Sequence, residues 1–128
     1  MYKPALITGT IFGALAVILG AMGAHAISSR VTPDVMQIYQ KAVDYHFYHT
    51  FAILAAGILY QGFPRPSVRR AYNCFVAGIL LFSGSLYLLT FLKMNGGGLG
   101  MFNLVTPLGG VFFILGWLML LSGILKRA

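Results

Sequence analysis

The stretch ALITGTIFGALAVILGAMGA, residues 5–24, carries no charged side chain. A helix needs about 20 apolar residues to cross the ~30 Å hydrocarbon core of a bilayer. Three further uncharged runs follow at residues 45–64, 71–92 and 105–125. These runs are continuously apolar and lack the alternation of barrel strands, so they predict helices. We therefore predict an all-α membrane protein, a four-transmembrane-helix bundle.

One membrane domain accounts for the whole chain. Its 128 residues are 59% hydrophobic and 9% charged, whereas soluble domains have about 25% charged residues. We expect spans at about 5–26, 43–63, 71–92 and 104–125. An alternative for the first segment is a secretory signal, because Lys3 precedes it and Ala24-His25-Ala26 fits a cleavage site. The apolar run is longer than that of a usual signal, which favours a span.

The basic residues predict the orientation. The net charge is +7, but no basic helix of the kind that binds nucleic acid is present. With four spans, both termini lie on one side, and cytoplasmic loops carry the Lys/Arg excess. We therefore expect both termini in the cytoplasm. The terminal side carries Lys3, Arg65, Arg69, Arg70, Lys126 and Arg127, and the other side carries Arg30, Lys41 and Lys93.

The connection between the first two runs predicts an amphipathic helix. Thr32-Pro33-Asp34 is a good helix start, with an N-cap threonine, a proline in the first turn and an acid near the positive dipole end. Residues 33–42 then place apolar side chains at three- and four-residue spacing, with polar ones on the other faces. We expect this lead-in to lie at the membrane interface, either bending into the second span or continuing straight into it.

All three histidines and both carboxylates lie between His25 and His49. His25 ends the first predicted span, and His46 and His49 begin the second from the same side. Polar groups inside membrane spans face the bundle interior and are functional candidates. We predict a polar hub in the outer half of the bundle, formed by His25, His49, His46, Tyr45, Asp44, Ser85, Tyr87 and Thr106.

Three kinds of chemistry suit this polar hub. In the first, its side chains hydrogen-bond one another and hold the helices together, at roughly 0.6 to 2 kcal/mol per bond. In the second, His25, His46, His49 and Asp44 bind a metal, although the sequence has neither an HExxH motif nor paired cysteines. In the third, the hub binds a small ligand, a lipid headgroup or haem. The first is favoured, and we expect neither a bound metal nor a cofactor.

The sequence supports catalysis and transport less than it supports the hydrogen-bonded hub. No set of nucleophile, base and orienting residue is visible, so we expect no enzyme. Small four-span exporters need a carboxylate within a span, whereas Asp34 and Asp44 both fall at the outer interface. Histidine can also carry protons, which keeps transport open as an alternative.

Small residues recur along the first and last runs. Gly9 and Gly13 form a G-x-x-x-G pair, and Gly109, Gly116 and Gly123 repeat every seven residues. Such faces allow helix backbones to approach closely in lipid. They pack either inside one bundle or between chains, and we expect a homo-oligomer in addition to internal packing.

The motifs GAMGAH at 20–25, AVDYHFYH at 42–49, FSGSLY at 82–87, TPLGG at 106–110 and GW at 116–117 resemble the YgdD/YwdK family. Its members are small multi-pass bacterial membrane proteins of unknown function, with a small eukaryotic relative. The resemblance implies four spans and the bacterial plasma (inner) membrane. The family has glutamine more often at the position of His46, which argues against a metal ligand there.

His25 and His49 match histidines of the family. We therefore predict a contact between spans one and two through these two residues, facing Ser85 and Tyr87. The function predicted is a structural or interaction module without catalysis. The alternative is a protein that binds or transports a small ligand, a lipid or a metal through the same polar hub.

Overall fold

The computed structural model describes residues 1–98 and 100–126, apart from the side chains of residues 101 and 102. The described residues form helices and no strand, which confirms the all-α class. Arg127, counted above for the orientation, lies outside the described residues.

In the described part of the chain, the helices form four rods that alternate in direction along the bundle. The first two rods are α1 (Lys3–Met22), extended by a π-helical turn (Gly23–Ile27), and α2 (Pro33–Leu59). The third rod is continuous and consists of α3 (Pro66–Gly78), a π-helical turn (Ile79–Ser83) and α4 (Gly84–Met94). The fourth is α5 (Val105–Leu125), preceded by a 3-10 turn (Gly100–Leu104).

Prolines set the start of three rods. Pro33 and Pro66 are the first residues of α2 and α3, and Pro4 lies in the first turn of α1. Proline suits these positions because its missing N–H has no partner in a first helical turn. The Thr32-Pro33-Asp34 start is thus where the sequence predicts it. Gly96 and Gly100, with φ of +78° and +58°, turn the chain between the last two rods.

Three helical segments of the described residues are long and apolar enough to cross a membrane: Lys3–Ile27, Pro66–Met94 and Val105–Leu125. They contain the first and third predicted spans and all but the first residue of the fourth. The second, predicted at 43–63, begins within α2 but ends earlier, because the helix stops at Leu59; α2 is less apolar because His46, His49 and Asp44 belong to it. The lead-in 33–42 and this second segment form one uninterrupted helix of 27 residues, about 40 Å long at ~1.5 Å per residue.

Glycines bring the rods together inside the chain. A methyl group built on Gly116 would lie 2.6 Å from Phe75, and one on Gly123 would lie 2.6 Å from Val68. One on Gly9 would lie 2.5 Å from Leu54. The glycine faces expected to serve either internal packing or an oligomer are therefore occupied by neighbouring helices of the same chain. The α1–α2 and α3–α5 pairs consequently pack closely.

The outward faces of the first and last rods are apolar. Ile11 and Ile18 on α1, and Ile114, Leu118 and Leu121 on α5, are half or more exposed. Water would solvate such contiguous apolar surface poorly, whereas lipid tails match it. The arrangement therefore buries polar groups between the rods and presents aliphatic groups outside.

Candidate functional site

The predicted polar hub begins with His25, which points away from the bundle. It lies in the π-helical turn Gly23–Ile27, whose first and last residues are buried while the three between them are exposed. Gly23 packs closely against Tyr39: a methyl group built on Gly23 would lie 2.6 Å from the phenol ring. The predicted contact between His25 and His49 is therefore not formed. The turn directs Gly23 and Ile27, rather than His25, toward α2.

His49 is buried between α2 and α5. Its Nδ1 lies 2.8 Å from the carbonyl oxygen of Tyr45, one turn earlier. A carbonyl only accepts hydrogen bonds, so Nδ1 carries the proton and Nε2 carries a lone pair. The indole N–H of Trp117 donates to that Nε2 at 3.2 Å. The imidazole also stacks on Phe113, with ring centroids 3.5 Å apart and 10° between the planes. Both nitrogens of His49 are thus already engaged.

His46 faces a different neighbour, although it is only three residues away. Its Nδ1 is hydrogen-bonded to the Tyr87 hydroxyl at 2.9 Å, and its ring meets Phe12 edge-on at 5.9 Å. The side chain is 3% exposed. Tyr87 therefore pairs with His46, not with the His25–His49 contact that the sequence predicts.

One face of His46 remains polar without a protein partner. Among the described residues, neither Nε2 of His46 nor the hydroxyl of Thr50 one turn later has a hydrogen-bond partner, and both are buried. They lie on the side of α2 that meets α1, where Thr50 approaches Gly13. Unpaired buried polar atoms are uncommon in native structures.

The remaining hub residues form separate contacts. Ser85 donates to the carbonyl of Phe82 at 2.9 Å and is 2.5 Å from the Thr106 hydroxyl, which must then be the donor of that second bond. Asp44 accepts from the Gln40 side chain at 2.9 Å. Tyr45 stacks on Phe82, with centroids 4.8 Å apart. The predicted hub is therefore distributed over separate contacts, of which the Ser85–Thr106 and Tyr45–Phe82 pairs join neighbouring helices and the Asp44–Gln40 bond stays within α2.

Two further hydrogen bonds between helices were not predicted from the sequence. The Ser83 hydroxyl donates to the Ala42 carbonyl at 2.7 Å, and the Tyr39 hydroxyl donates to the carbonyl of Leu19. Both acceptors are backbone atoms of a neighbouring helix, so a search for pairs of polar side chains does not find them. The π-helical turn Ile79–Ser83 that orients Ser83 also carries no proline or glycine signal of its own.

A metal site would require several histidine, cysteine or carboxylate side chains to lie close together. Among the described residues, no group of three or more histidine, cysteine or carboxylate side chains lies close enough together to hold a metal ion. His25 is exposed on α1, while His46 and His49 point to different helices. The set His25, His46, His49 and Asp44 is thus not brought together.

A groove between α2 and α5 lies beside several of the predicted hub residues. Two cavities share Tyr45 as a wall residue. One lies between α2 and α5, and the other lies between α2, the third rod and the start of α5; we call them together the α2–α5 groove. The deeper cavity, of about 660 Å³, is mainly apolar and includes Tyr48, His49, Phe113, Ile114 and Trp117 in its wall.

The outer cavity of the groove, of about 540 Å³, has a different character. Its polar groups come from Asp34, Gln37, Lys41 and Thr106, and its apolar groups include Phe82 and Leu86. Asp34, Gln37 and Lys41 are spaced by three and four residues and so share one face of α2. The Lys41 ammonium also lies 5.9 Å from the centre of the Tyr45 ring.

Sequence reasoning missed most of this groove. Trp117 and Phe113 lie in the last apolar run, where only the three-dimensional packing shows that they meet His49. The sequence analysis places residues 33–42 in the interfacial lead-in and uses Lys41 for the orientation, but it does not connect Lys41 or Gln37 with a cavity. A usable signal was present in the lead-in, because its polar face is mixed in charge and continues directly into Tyr45 on the same helix face.

Near the N-cap of α2, one carboxyl group has a shifted pKa. A hydrogen bond with the Thr32 side chain lowers the pKa of the Asp34 carboxyl below 3.8, and backbone N–H groups of the first helical turn act in the same direction. Asp34 therefore stays ionised at neutral pH, so the outer cavity holds one negative and one positive side chain.

Comparison with known proteins places the chain in a family. Residues 19–110 match the family described as "Protein of unknown function (DUF423)". The UPF0382 membrane protein YwdK of Bacillus subtilis is 36% identical over 125 residues, which cover 97% of this chain and 98% of the relative. A UPF0382 membrane protein of Staphylococcus saprophyticus is 36% identical over 124 residues, with coverage of 97% and 98%.

A third relative, a UPF0382 membrane protein of Staphylococcus aureus, is 35% identical over 123 residues and 96% of each chain. No solved structure matches the chain. The similarity covers nearly the full length of each relative, and the relatives are named only as membrane proteins. The predicted resemblance to the YgdD/YwdK family is confirmed. The chain belongs to the DUF423 family, the UPF0382 membrane proteins, whose function is unknown.

Proposed function

We propose that this protein is a non-catalytic, four-span membrane protein that binds an amphiphilic, lipid-like molecule in the α2–α5 groove. The observation that carries this proposal is the change of character along the groove. Its outer cavity holds the charged Asp34 and Lys41, and its deeper cavity is lined by aromatic and aliphatic groups. A molecule with a polar head and an apolar body matches both parts at once.

In this proposal α2 contains the one remaining span, which is the second along the chain. Its hydropathy is lowered by histidines and tyrosines, but His46 and His49 are 3% and 7% exposed and hydrogen-bonded to neighbouring helices. Paired in this way, they can lie at membrane depth without meeting lipid. α1 and α5 then lie on either side of α2 and the third rod and present their apolar faces to lipid. The four rods would cross the membrane in alternating directions.

The orientation follows from the charged residues. The lead-in 33–42 carries exposed Asp34, Gln37 and Lys41, which supports a place at the outer interface. The end that holds the N-terminus and the turn before α3 carries Lys3, Arg65, Arg69 and Arg70, the larger basic group. Cytoplasmic segments carry this excess. We therefore propose a plasma membrane location with both termini cytoplasmic.

His49 shapes the groove and performs no chemistry in this proposal. His49 uses both ring nitrogens in bonds to Tyr45 and Trp117, which supports a fixed wall. A general base needs a lone pair directed at its substrate. Transport would need a polar path through the bundle, whereas the deeper cavity opens between α2 and α5 among apolar groups. Binding without catalysis is therefore the function that the geometry favours.

The proposal includes a homo-oligomer, but not one that forms through the glycine faces. The glycine faces that suggested it contact Phe75, Val68 and Leu54 of the same chain. An oligomer would have to use the exposed aliphatic faces of α1 or α5 instead. Light scattering of the purified protein, corrected for detergent, measures this directly, and a monomer at every concentration would remove the oligomer from the proposal.

The test of the groove uses two positions on α5. Ile114 lines the deeper cavity, whereas Leu118, one turn later, does not, and the two side chains are similarly exposed at 61% and 56%. Native mass spectrometry of the purified full chain with palmitoyl-oleoyl phosphatidylethanolamine gives the number and affinity of bound lipids. Ile114→Trp should weaken the tightest binding at least about tenfold by filling the cavity, a loss of ~1.4 kcal/mol.

Leu118→Trp is the matched control and should bind as the wild type does. Equal binding by both variants and the wild type, at unchanged thermal stability, would contradict the groove as a binding site. Lys41→Gln examines the outer cavity in the same experiment, with Lys93→Gln as its control because Lys93 does not line the groove.

A further inference from the structure

A second polar cavity lies at the other end of the bundle. It has a volume of about 240 Å³ and is lined by Tyr2, Pro66, Arg69, Arg70 and Asn73. The four residues of α3 are spaced by three and four positions, so they share one face of the helix. Tyr2, just before α1, lies against that face. We call this the arginine cavity.

The polar groups of the arginine cavity are mainly hydrogen-bond donors. Two guanidinium groups, the Asn73 amide and the Tyr2 hydroxyl belong to residues that line it, and each of these groups can donate a hydrogen bond. The first turn of α3 adds the positive end of a helix dipole, because Pro66 is its first residue. Planar guanidinium groups match the oxygens of a phosphate group well. The cavity is therefore suited to an anion with several oxygens.

No carboxylate side chain can neutralise these arginines. The chain contains only two acidic residues, and these are Asp34 and Asp44 in the first half of α2. The backbone N–H of Tyr2 donates to the carbonyl of Gly57 at 2.8 Å, so Tyr2 lies beside the opposite end of α2. The two carboxylates and the two arginines are thus separated by most of the length of the bundle.

Aromatic rings beside the arginine cavity support a position for it at the level of lipid headgroups. The ring of Tyr2 packs on Tyr60 and Tyr72, with centroids 5.4 Å and 5.5 Å apart. The Tyr72 hydroxyl is also hydrogen-bonded to Thr8 at 3.0 Å. Tyrosines concentrate at the membrane interface, where one end of the ring is apolar and the other is wet. Phosphate groups of the lipids occupy this same layer.

We propose that the arginine cavity binds the phosphate of an anionic phospholipid in the cytoplasmic leaflet. The site is independent of the α2–α5 groove, which lies at the outer end and holds charges of both signs. A free phosphate ion has the same donor requirements, so the experiment separates these two sources of the anion.

The purified full chain is titrated with palmitoyl-oleoyl phosphatidylglycerol or with the phosphatidylcholine of identical acyl chains, and binding is followed by native mass spectrometry. The wild type should bind the anionic lipid at least about tenfold more tightly, the effect of one charge-assisted hydrogen bond. Arg69→Gln/Arg70→Gln should remove this preference. Lys3→Gln/Lys126→Gln removes two charges from the same end but none from the cavity wall, and should retain it.

Inorganic phosphate is added as a competitor in a second arm. Retained lipid binding in excess phosphate identifies the lipid as the occupant, as proposed. Displacement at millimolar phosphate would overturn the lipid assignment and leave a site for a soluble anion. Equal binding of the two lipids by the wild type, or an undiminished preference in a folded Arg69→Gln/Arg70→Gln protein, would overturn the proposal. Circular dichroism and thermal unfolding establish that the variants fold.

Discussion

Trp117 donates its indole N–H to Nε2 of His49 across 3.2 Å, and this bond ties α5 to α2 through the only tryptophan of the chain. It exists because Nδ1 of the same ring is occupied by the Tyr45 carbonyl at 2.8 Å. The backbone of α2 thereby selects the tautomer that α5 recognises. The side chains at the back of the α2–α5 groove are consequently fixed by contacts within the protein.

Trp117→Phe should destabilise the protein by about 1 kcal/mol, because it removes the indole donor and leaves Nε2 of His49 unpaired. Equilibrium unfolding in mixed micelles measures this change. His49→Gln should have a similar effect in the wild type and a smaller one in Trp117→Phe, since both substitutions remove the same bond. Strictly additive effects in the double-mutant cycle would contradict the bond as an energetic coupling.

Tyr87→Phe should destabilise the protein by about 1 to 2 kcal/mol, because it removes the partner of Nδ1 in a buried imidazole whose other nitrogen has no partner among the described residues. Tyr48→Phe is the matched control, since that tyrosine is 55% exposed. It should change the unfolding free energy by less than about 0.5 kcal/mol. If the two variants unfold alike, the His46–Tyr87 bond is not a stabilising contact.

Gly109→Ala should destabilise the protein by roughly 1 to 3 kcal/mol, because the added methyl group meets the backbone of Phe82, which cannot rotate away. Gly13→Ala places its methyl group at an ordinary distance, 3.7 Å from Thr50. It should be neutral within about 0.5 kcal/mol. Unfolding of both variants in the same detergent makes the comparison, and a tolerated Gly109→Ala would contradict the close approach of α5 to the third rod.

Thr32→Val should raise the pKa of Asp34 toward 3.8, because the threonine hydrogen bond that lowers it is lost. A carboxyl whose folded pKa is lowered stabilises the folded state above its unfolded pKa, and this stabilisation disappears as the pH falls through the folded pKa. The variant should therefore lose stability less steeply in acid. Titration of the labelled Asp34 carboxyl by NMR measures the pKa.

Thr10→Val serves as the control for that titration. Thr10 lies on α1, and its hydroxyl donates within its own helix to the carbonyls of Leu6 and Ile7. The titration of Asp34 should be unaffected by this substitution. An unchanged Asp34 pKa in Thr32→Val would show that the threonine is not its partner.

The sequence was informative about the helices because each signal is local. Uncharged runs predict the first, third and fourth rods, and Thr32-Pro33-Asp34 marks the beginning of α2 at Pro33. The sequence did not say whether α2 would bend. It runs without interruption from Pro33 to Leu59, because no proline or glycine breaks the helix before Gly57.

The candidate site was less predictable, since a helical repeat specifies a face but not the neighbour that the face meets. His46 and His49 lie three residues apart, yet one bonds Tyr87 and the other Trp117. The π-helical turn at Gly23–Ile27 sends His25 outward. Such a turn inserts a residue into the helical repeat, so the face that His25 takes differs from the one that a regular α-helix would give it.

By itself, then, the amino-acid sequence determined that the chain is helical, which segments are apolar, where α2 begins and which end carries most of the basic charge. These properties depend on composition and on neighbours a few residues apart. Only the tertiary structure decided the pairing of His49 with Trp117 and of His46 with Tyr87, together with the groove between α2 and α5. Those depend on how each helix is rotated about its axis, and that rotation is set by the close contacts of Gly9, Gly109 and Gly116 with side chains and backbone far away in the sequence.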